Sequence, residues 1–131
     1  MPARRKTREE LNVISGAVVD SAIKVHRRFG AGLLESAYQA CLVSELGTRR
    51  LSVRSQVEVP IEYEGVLIET GYRMDLLVED EVVVELKTVV KVLPVHDAQL
   101  MSYLRLSNRR VGLLINFHAF QLRNGIKRFV N

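Results

Sequence analysis

Glu85 and Lys87 stand two residues apart in Val82-Val83-Val84-Glu85-Leu86-Lys87-Thr88-Val89. Alternation along a strand sends both side chains to one face. This is the most apolar strand-like run of the chain, and an unpaired buried charge costs several kcal/mol or more, so the pair needs compensation. A structural ion pair, or an edge strand with one wet face, would supply it without chemistry. Asp75, in the preceding run Gly71-Tyr72-Arg73-Met74-Asp75-Leu76-Leu77-Val78, offers another answer. A three-residue loop Glu79-Asp80-Glu81 sets Val78 opposite Val82 and Asp75 opposite Glu85, with side chains ~5 Å apart. A two-residue loop sets Asp75 opposite Val84 instead, and the carboxylates diverge unless a bulge or splayed strand ends restore their approach. Two carboxylates that close stay ionised together only around a cation; otherwise one takes up a proton. Their hard oxygens suit Mg²⁺ or Mn²⁺, which bind through one or two carboxylates plus water and phosphate. Lys87 is suited to stabilise charge on a transferring phosphate or to help activate a water.

Gln99 and Tyr103 lie at i, i+4 in a helix-like stretch and so share a face, where a surface Gln and a half-buried Tyr are the bland reading. Glu35 opens another helix-like stretch, where an acid in the first turn favours the helix dipole by ~0.3–1 kcal/mol. His96 is suited to a phosphate, to a bound water or simply to a helix start, and a lone His such as His118 is most often structural. Basic residues are scattered, with pairs at expected element ends. Arg27 and Arg28, next to the expected site, are the best phosphate contacts among them. Arg4 to Arg8 reads as a flexible basic arm or a frayed terminus.

The elements that must position these groups follow from hydrophobic periodicity. Ile14, Val18, Ala22, Val25 and Phe29 make one helical stripe, with Thr7 as N-cap, Glu10 completing a capping box, and Gly30-Ala31-Gly32 as the stop. A second helix presents Leu34, Ala37, Tyr38, Cys41, Leu42 and Leu46 and stops at Gly47. From about Leu51 the period becomes strand-like: Val57, Val59 and Ile61 alternate with polar residues, Glu64-Gly65 turns, and Val66 to Glu69 is a short strand. Tyr72 to Val78 and Val82 to Val89 form a hairpin whose second strand is central and covered on both faces. Pro94 opens a third helix with Ala98, Leu100, Met101 and Leu104 inward. Val111 to Phe117 is another apolar strand, and Phe120 to Arg123 with Ile126 to Val130 make a final hairpin around Asn124-Gly125. This order predicts an α/β fold with a mixed sheet flanked by helices.

Composition bounds the rest. The 131 residues make one domain, and 47% hydrophobic with 26% charged residues suits a globule rather than a disordered or collagen-like chain. A formal charge of +4 permits an anionic partner without identifying it. No apolar run is long enough for a membrane span, and the charged start carries no apolar core of a secretory signal. One cysteine, Cys41, excludes an intrachain disulfide framework and a cysteine-built zinc site, and points to a reducing cytoplasm.

Asp75 followed by Glu85-x-Lys87 on a hairpin resembles the signature of the PD-(D/E)XK nuclease superfamily, with Met74 where the name has a proline. His26-Arg27-Arg28-Phe29-Gly30-Ala31-Gly32-Leu33-Leu34-Glu35-Ser36-Ala37-Tyr38 is similar to the hallmark of the small bacterial GxxExxxB proteins grouped in that superfamily, with Ala31 at an expected proline. The resemblance runs from the first helix through Leu113-Leu114-Ile115-Asn116-Phe117. It implies a restriction-endonuclease-like core in which Glu35, Asp75 and Glu85 ligate Mg²⁺ or Mn²⁺, the Leu86 carbonyl adds a ligand, and Lys87 is the catalytic lysine. Gln99-x-x-x-Tyr103 resembles the motif of RecB-like nucleases, whose glutamine supports the active site and whose tyrosine contacts it or the nucleic acid. The function implied is hydrolysis of phosphodiester bonds in nucleic acid, with DNA favoured. The rivals are a binding module that keeps the fold without turnover, a homodimeric structure-selective nuclease, and a purely structural protein.

Overall fold

The computed structural model describes residues 4–131. Two helices come first, α1 (Arg8–Phe29) and α2 (Glu35–Thr48). The strands β1 (Val53–Glu58), β2 (Ile61–Tyr63), β3 (Val66–Ile68), β4 (Arg73–Val78) and β5 (Val82–Lys87) follow. Helix α3 (Pro94–Ser107), β6 (Val111–Asn116), a 3₁₀ turn (Leu122–Gly125) and β7 (Ile126–Val130) complete the chain. The main sheet has the order β1-β4-β5-β6-β7, and β2 pairs with β3 in a separate hairpin. β5 and β6 are parallel, with α3 as the crossover, and the other pairs are antiparallel. This is the mixed sheet flanked by helices expected of a restriction-endonuclease-like fold.

Local chemistry accounts for the helix limits. Thr7 Oγ1 accepts the Glu10 N–H at 3.1 Å, which starts α1, and Gly30 ends it at φ 66°. Pro94 stands in the first turn of α3, where a missing N–H is harmless. His96 Nδ1 accepts the Leu93 N–H at 3.0 Å, so this histidine caps the helix.

The core has two halves, one on each face of the sheet. Helices α1 and α2 pack Leu11, Ile14, Val18, Ala22, Val25, Tyr38, Leu42 and Leu46 against Leu76, Val78, Val82, Val84 and Leu86. Helix α3 packs Leu100, Tyr103 and Leu104 against Val59, Met74, Leu77, Val83 and Leu114 on the other face. A fully buried side chain of this kind contributes ~1.5–3 kcal/mol. β5 is covered on both faces, as its Val-Val-Val run implies.

The structure departs from sequence expectation in several places. The inward face of α3 is Leu100, Tyr103 and Leu104 with half-buried Met101 packed against them, whereas Ala98 is exposed. Leu34 and Phe29 are exposed, and each lies at a helix end. Phe120 to Arg123 does not form a hairpin strand: β7 pairs back on β6, and the 3₁₀ turn makes the connection. At the N-terminus, residues 1–3 lie outside the described residues. Arg4 pairs with Glu10 at 2.8 Å, and the Arg110 guanidinium donates to the Lys6 carbonyl at 2.6 Å.

Candidate active site

The β4–β5 turn sets the site. Val78 pairs with Val82, Leu77 with Val83 and Leu76 with Val84, which is the three-residue-loop register. Glu79 and Asp80 take left-handed conformations (φ 53° and 58°), and the Glu81 N–H donates to the Val78 carbonyl at 3.0 Å. One step on, Asp75 and Glu85 face each other and the backbone ladder stops. Side chains replace it: the Asp75 N–H donates to Glu85 Oε1 at 3.0 Å, and the Leu86 N–H donates to Asp75 Oδ2 at 2.8 Å.

The sheet also changes on the other side of Asp75. Gln56 of β1 falls in register with it, between the pairs Ser55–Leu76 and Val57–Met74. Gln56 has φ 53° and is the one non-glycine residue with positive φ inside a strand among the described residues. Regular alternation would send Met74 to the same side as Leu76. Instead Met74 and Val57 pack in the α3-side cluster with Leu77, so both strands turn over at the Gln56–Asp75 position. Gln56 Nε2 donates to Gln39 Oε1 at 3.0 Å and to Asp75 Oδ1 at 3.4 Å.

Glu35 occupies the first turn of α2. Tyr38 holds that turn in place: its hydroxyl donates to the Gly30 carbonyl and accepts the Leu33 N–H at 3.2 Å, and its ring stacks on Phe117 at 4.3 Å. The Gly30-to-Leu34 connection is thereby tied to both helices and to the end of β6. Buried His26 adds a bond from Nε2 to the Ala119 carbonyl at 2.9 Å. Lys87 ends β5 opposite Asn116. The Asn116 amide clamps the chain just beyond, accepting the Val89 N–H at 3.1 Å and donating to the Val89 carbonyl at 2.8 Å.

The electrostatics are those of acids short of counter-charge. Glu85 is 5% exposed, and burial followed by the Asp75 charge pushes its carboxyl up to about 8. Burial also raises Asp75, against the pull of the Leu86 N–H, the Gln56 amide and Lys87. Glu35 is raised by burial and then by Asp75. Lys87 lowers all three, yet it forms no ion pair within 4.0 Å among the described residues. Tyr103, buried on α3, is pushed up to about 12 by burial and then by Glu85 and Asp75, and its ring lies 6.1 Å from that of Tyr72. Gln99, one turn earlier, is half-buried, and its side chain makes no hydrogen bond among the described residues.

Asp75, Glu85, Lys87 and Tyr103 thus share one neighbourhood, and Glu35 borders it. The described residues contain no group of three His, Cys, Asp or Glu tight enough to be a ready-made metal cage. Two hard carboxylates, one of them buried, fit an ion such as Mg²⁺, which keeps several waters and needs one or two protein carboxylates. Arg27 and Arg28 are exposed and line a separate cavity of about 650 Å³ between α1 and α2, with Lys24, Phe29, Cys41 and Glu45. Sequence reasoning missed Gln39, Gln56 and the clamp role of Asn116. Only the spacing of Gln39 one helical turn after Glu35 hinted at any of them.

A family model described as the PD-(D/E)XK nuclease superfamily matches residues 12–129. No curated protein and no solved structure matches the chain. No helix among the described residues is long and apolar enough to cross a membrane.

Proposed function

The chain belongs to the PD-(D/E)XK nuclease superfamily, and from that premise we propose that it hydrolyses phosphodiester bonds in nucleic acid, with DNA the favoured substrate and Mg²⁺ or Mn²⁺ the cofactor. The observation that carries this reading is the hydrogen-bonded pair of half-buried Asp75 and buried Glu85, with Lys87 beside it and in no ion pair among the described residues. Asp75 and Glu85 would hold the cation, with Glu35 as the further ligand from α2. A divalent ion at this place supplies an acidified water and charge neutralisation for the phosphate. Lys87 stabilises the charge that builds on the phosphoryl oxygens. Tyr103 and Gln99 border the scissile strand, and Arg27 and Arg28 bind more distant phosphates. The run around Glu35 resembles the GxxExxxB hallmark and supports a reading of the chain as one of those proteins, and its single cysteine suits a reducing cytoplasm. The single-domain reading of residues 1–131 belongs to the same proposal.

The test is cleavage of single-stranded, duplex and branched DNA and of RNA, with Mg²⁺, Mn²⁺ or chelator, by the wild type, Glu85→Ala and Lys87→Ala. Metal-dependent cleavage lost in both variants supports the reading. No cleavage of any substrate, together with unchanged Mn²⁺ binding by Glu85→Ala, defeats it. A second reading, a binding module without turnover, is favoured by the lack of a three-acid cage among the described residues. It requires metal-independent binding that Lys87→Ala does not alter. Light scattering decides whether a homodimer is the acting form.

A further inference from the structure

Gln56 has a strained backbone, an exact place in the register and a side chain that joins two elements, and the proposed function uses none of these. A glutamine with φ 53° in mid-strand is held against the ordinary preference of an L-residue, at a cost on the order of 1 kcal/mol or more. It stands opposite Asp75, where β1 and β4 turn over together. Its amide bonds Asp75 Oδ1 on one side and Gln39 Oε1 on the other. Gln39 follows Glu35 by one turn of α2, so the two side chains share a helix face.

We propose that Gln56, bridged to Gln39, is a positioning residue that orients the Asp75 carboxylate and ties it to the helix carrying Glu35. Asp75 accepts at both oxygens, at Oδ2 from the Leu86 N–H at 2.8 Å and at Oδ1 from the Gln56 amide at 3.4 Å, so its carboxylate is oriented from two sides. Outer partners of this kind govern ligand orientation, and their loss costs about 10- to 100-fold in metal affinity or activity. The inference rests on the nuclease reading for its consequence, and on the amide relay alone for its geometry.

The backbone and side-chain roles of Gln56 separate experimentally, because glycine accepts positive φ freely. Gln56→Gly keeps the turn-over of the strands and removes the amide. Gln56→Gly is expected to melt no lower than the wild type, to bind Mn²⁺ about 10- to 100-fold more weakly by calorimetry, and to exchange the Leu86 amide hydrogen faster in chelator. Gln39→Ala, on the helix side, is expected to weaken Mn²⁺ binding in the same direction. Wild-type Mn²⁺ affinity in both variants, or unchanged Leu86 exchange in Gln56→Gly, overturns the proposal. If the wild type itself binds no Mn²⁺ and cleaves nothing, the nuclease reading fails, and the Leu86 exchange rate still decides the relay. If Gln56→Gly does not fold, unchanged Mn²⁺ affinity in Gln39→Ala is the overturning result.

Discussion

Asp75 and Glu85 each accept a hydrogen bond from the backbone of the other's strand, Glu85 Oε1 from the Asp75 N–H at 3.0 Å and Asp75 Oδ2 from the Leu86 N–H at 2.8 Å. The exchange stands where ladder bonds would otherwise close the sheet. It holds the buried Glu85 carboxyl against half-buried Asp75, and the repulsion between them when both are ionised is what a cation would relieve.

Glu85→Gln keeps the shape and an acceptor for the Asp75 N–H while removing the charge. Cleavage should fall on the order of 10²-fold or more, the scale on which a preorganised charge acts. In chelator at pH 8 the variant should melt at or above the wild-type temperature, since a neutral amide is cheaper to bury than an ionised acid. A wild-type cleavage rate would remove Glu85 from the site.

The pH dependence has a definite sign. A carboxyl raised on folding keeps its proton in the native state after the unfolded chain has lost it, so stability falls as pH rises between the two values. For Glu85 that window runs from the ordinary 4.5 to about 8, and the raised Asp75 and Glu35 act in the same direction. Denaturant unfolding in chelator should show a loss on the order of a few kcal/mol from about pH 5 to about pH 8. Mg²⁺ should restore stability at the upper end, and Glu85→Gln should flatten the curve. A metal-free protein equally stable across this range would contradict the raised Glu85 carboxyl.

Lys87→Met removes a positive charge that lowers Glu35, Asp75 and Glu85 together. All three should then titrate higher, so the pH midpoint of Mn²⁺ binding should move up. Cleavage at saturating metal should drop about 10²- to 10³-fold through loss of phosphate charge stabilisation. Calorimetry across pH and single-turnover rates measure the two effects separately. A shifted binding midpoint with an intact rate would restrict Lys87 to tuning the acids.

Asn116→Ala opens the clamp on Val89 and leaves the Val89 N–H and carbonyl without their partner. The expected loss is ~1–3 kcal/mol in urea unfolding. Because Asn116 stands beside Lys87 in the β5–β6 register, the cleavage rate should also fall, though less than for Lys87→Met. A stability loss with no change in rate would make the clamp purely structural.

Much of the architecture was legible because it rests on local periodicity. The α1 stripe, the Thr7 cap and the Gly30 stop follow from residues at most a few positions apart, as do Pro94 at the start of α3 and the Val-rich β5. The errors arose where distant contacts chose between local options. The Asn124-Gly125 pair is a good hairpin turn, yet β7 finds its partner in β6. The face of α3 is Leu100, Tyr103 and Leu104 because the sheet beneath it decides which apolar residues turn inward.

For the site, the amino-acid order alone determined which groups carry charge, and that Glu85 and Lys87 share a strand face, since side-chain alternation is a local property of extended backbone. It left two loop registers open. The folded chain selected the one that sets Asp75 against Glu85, because only the packing of Leu76, Val78, Val82 and Val84 against α1 and α2 distinguishes them. Tertiary structure alone also turned β1 and β4 over at Gln56, joined Gln39 to Asp75, and set Glu35 beside the pair. Those relations span 17 and 19 residues in the Gln56 bonds, and separations of that size are settled by how helices and sheet bury their apolar faces, which no short window of residues records.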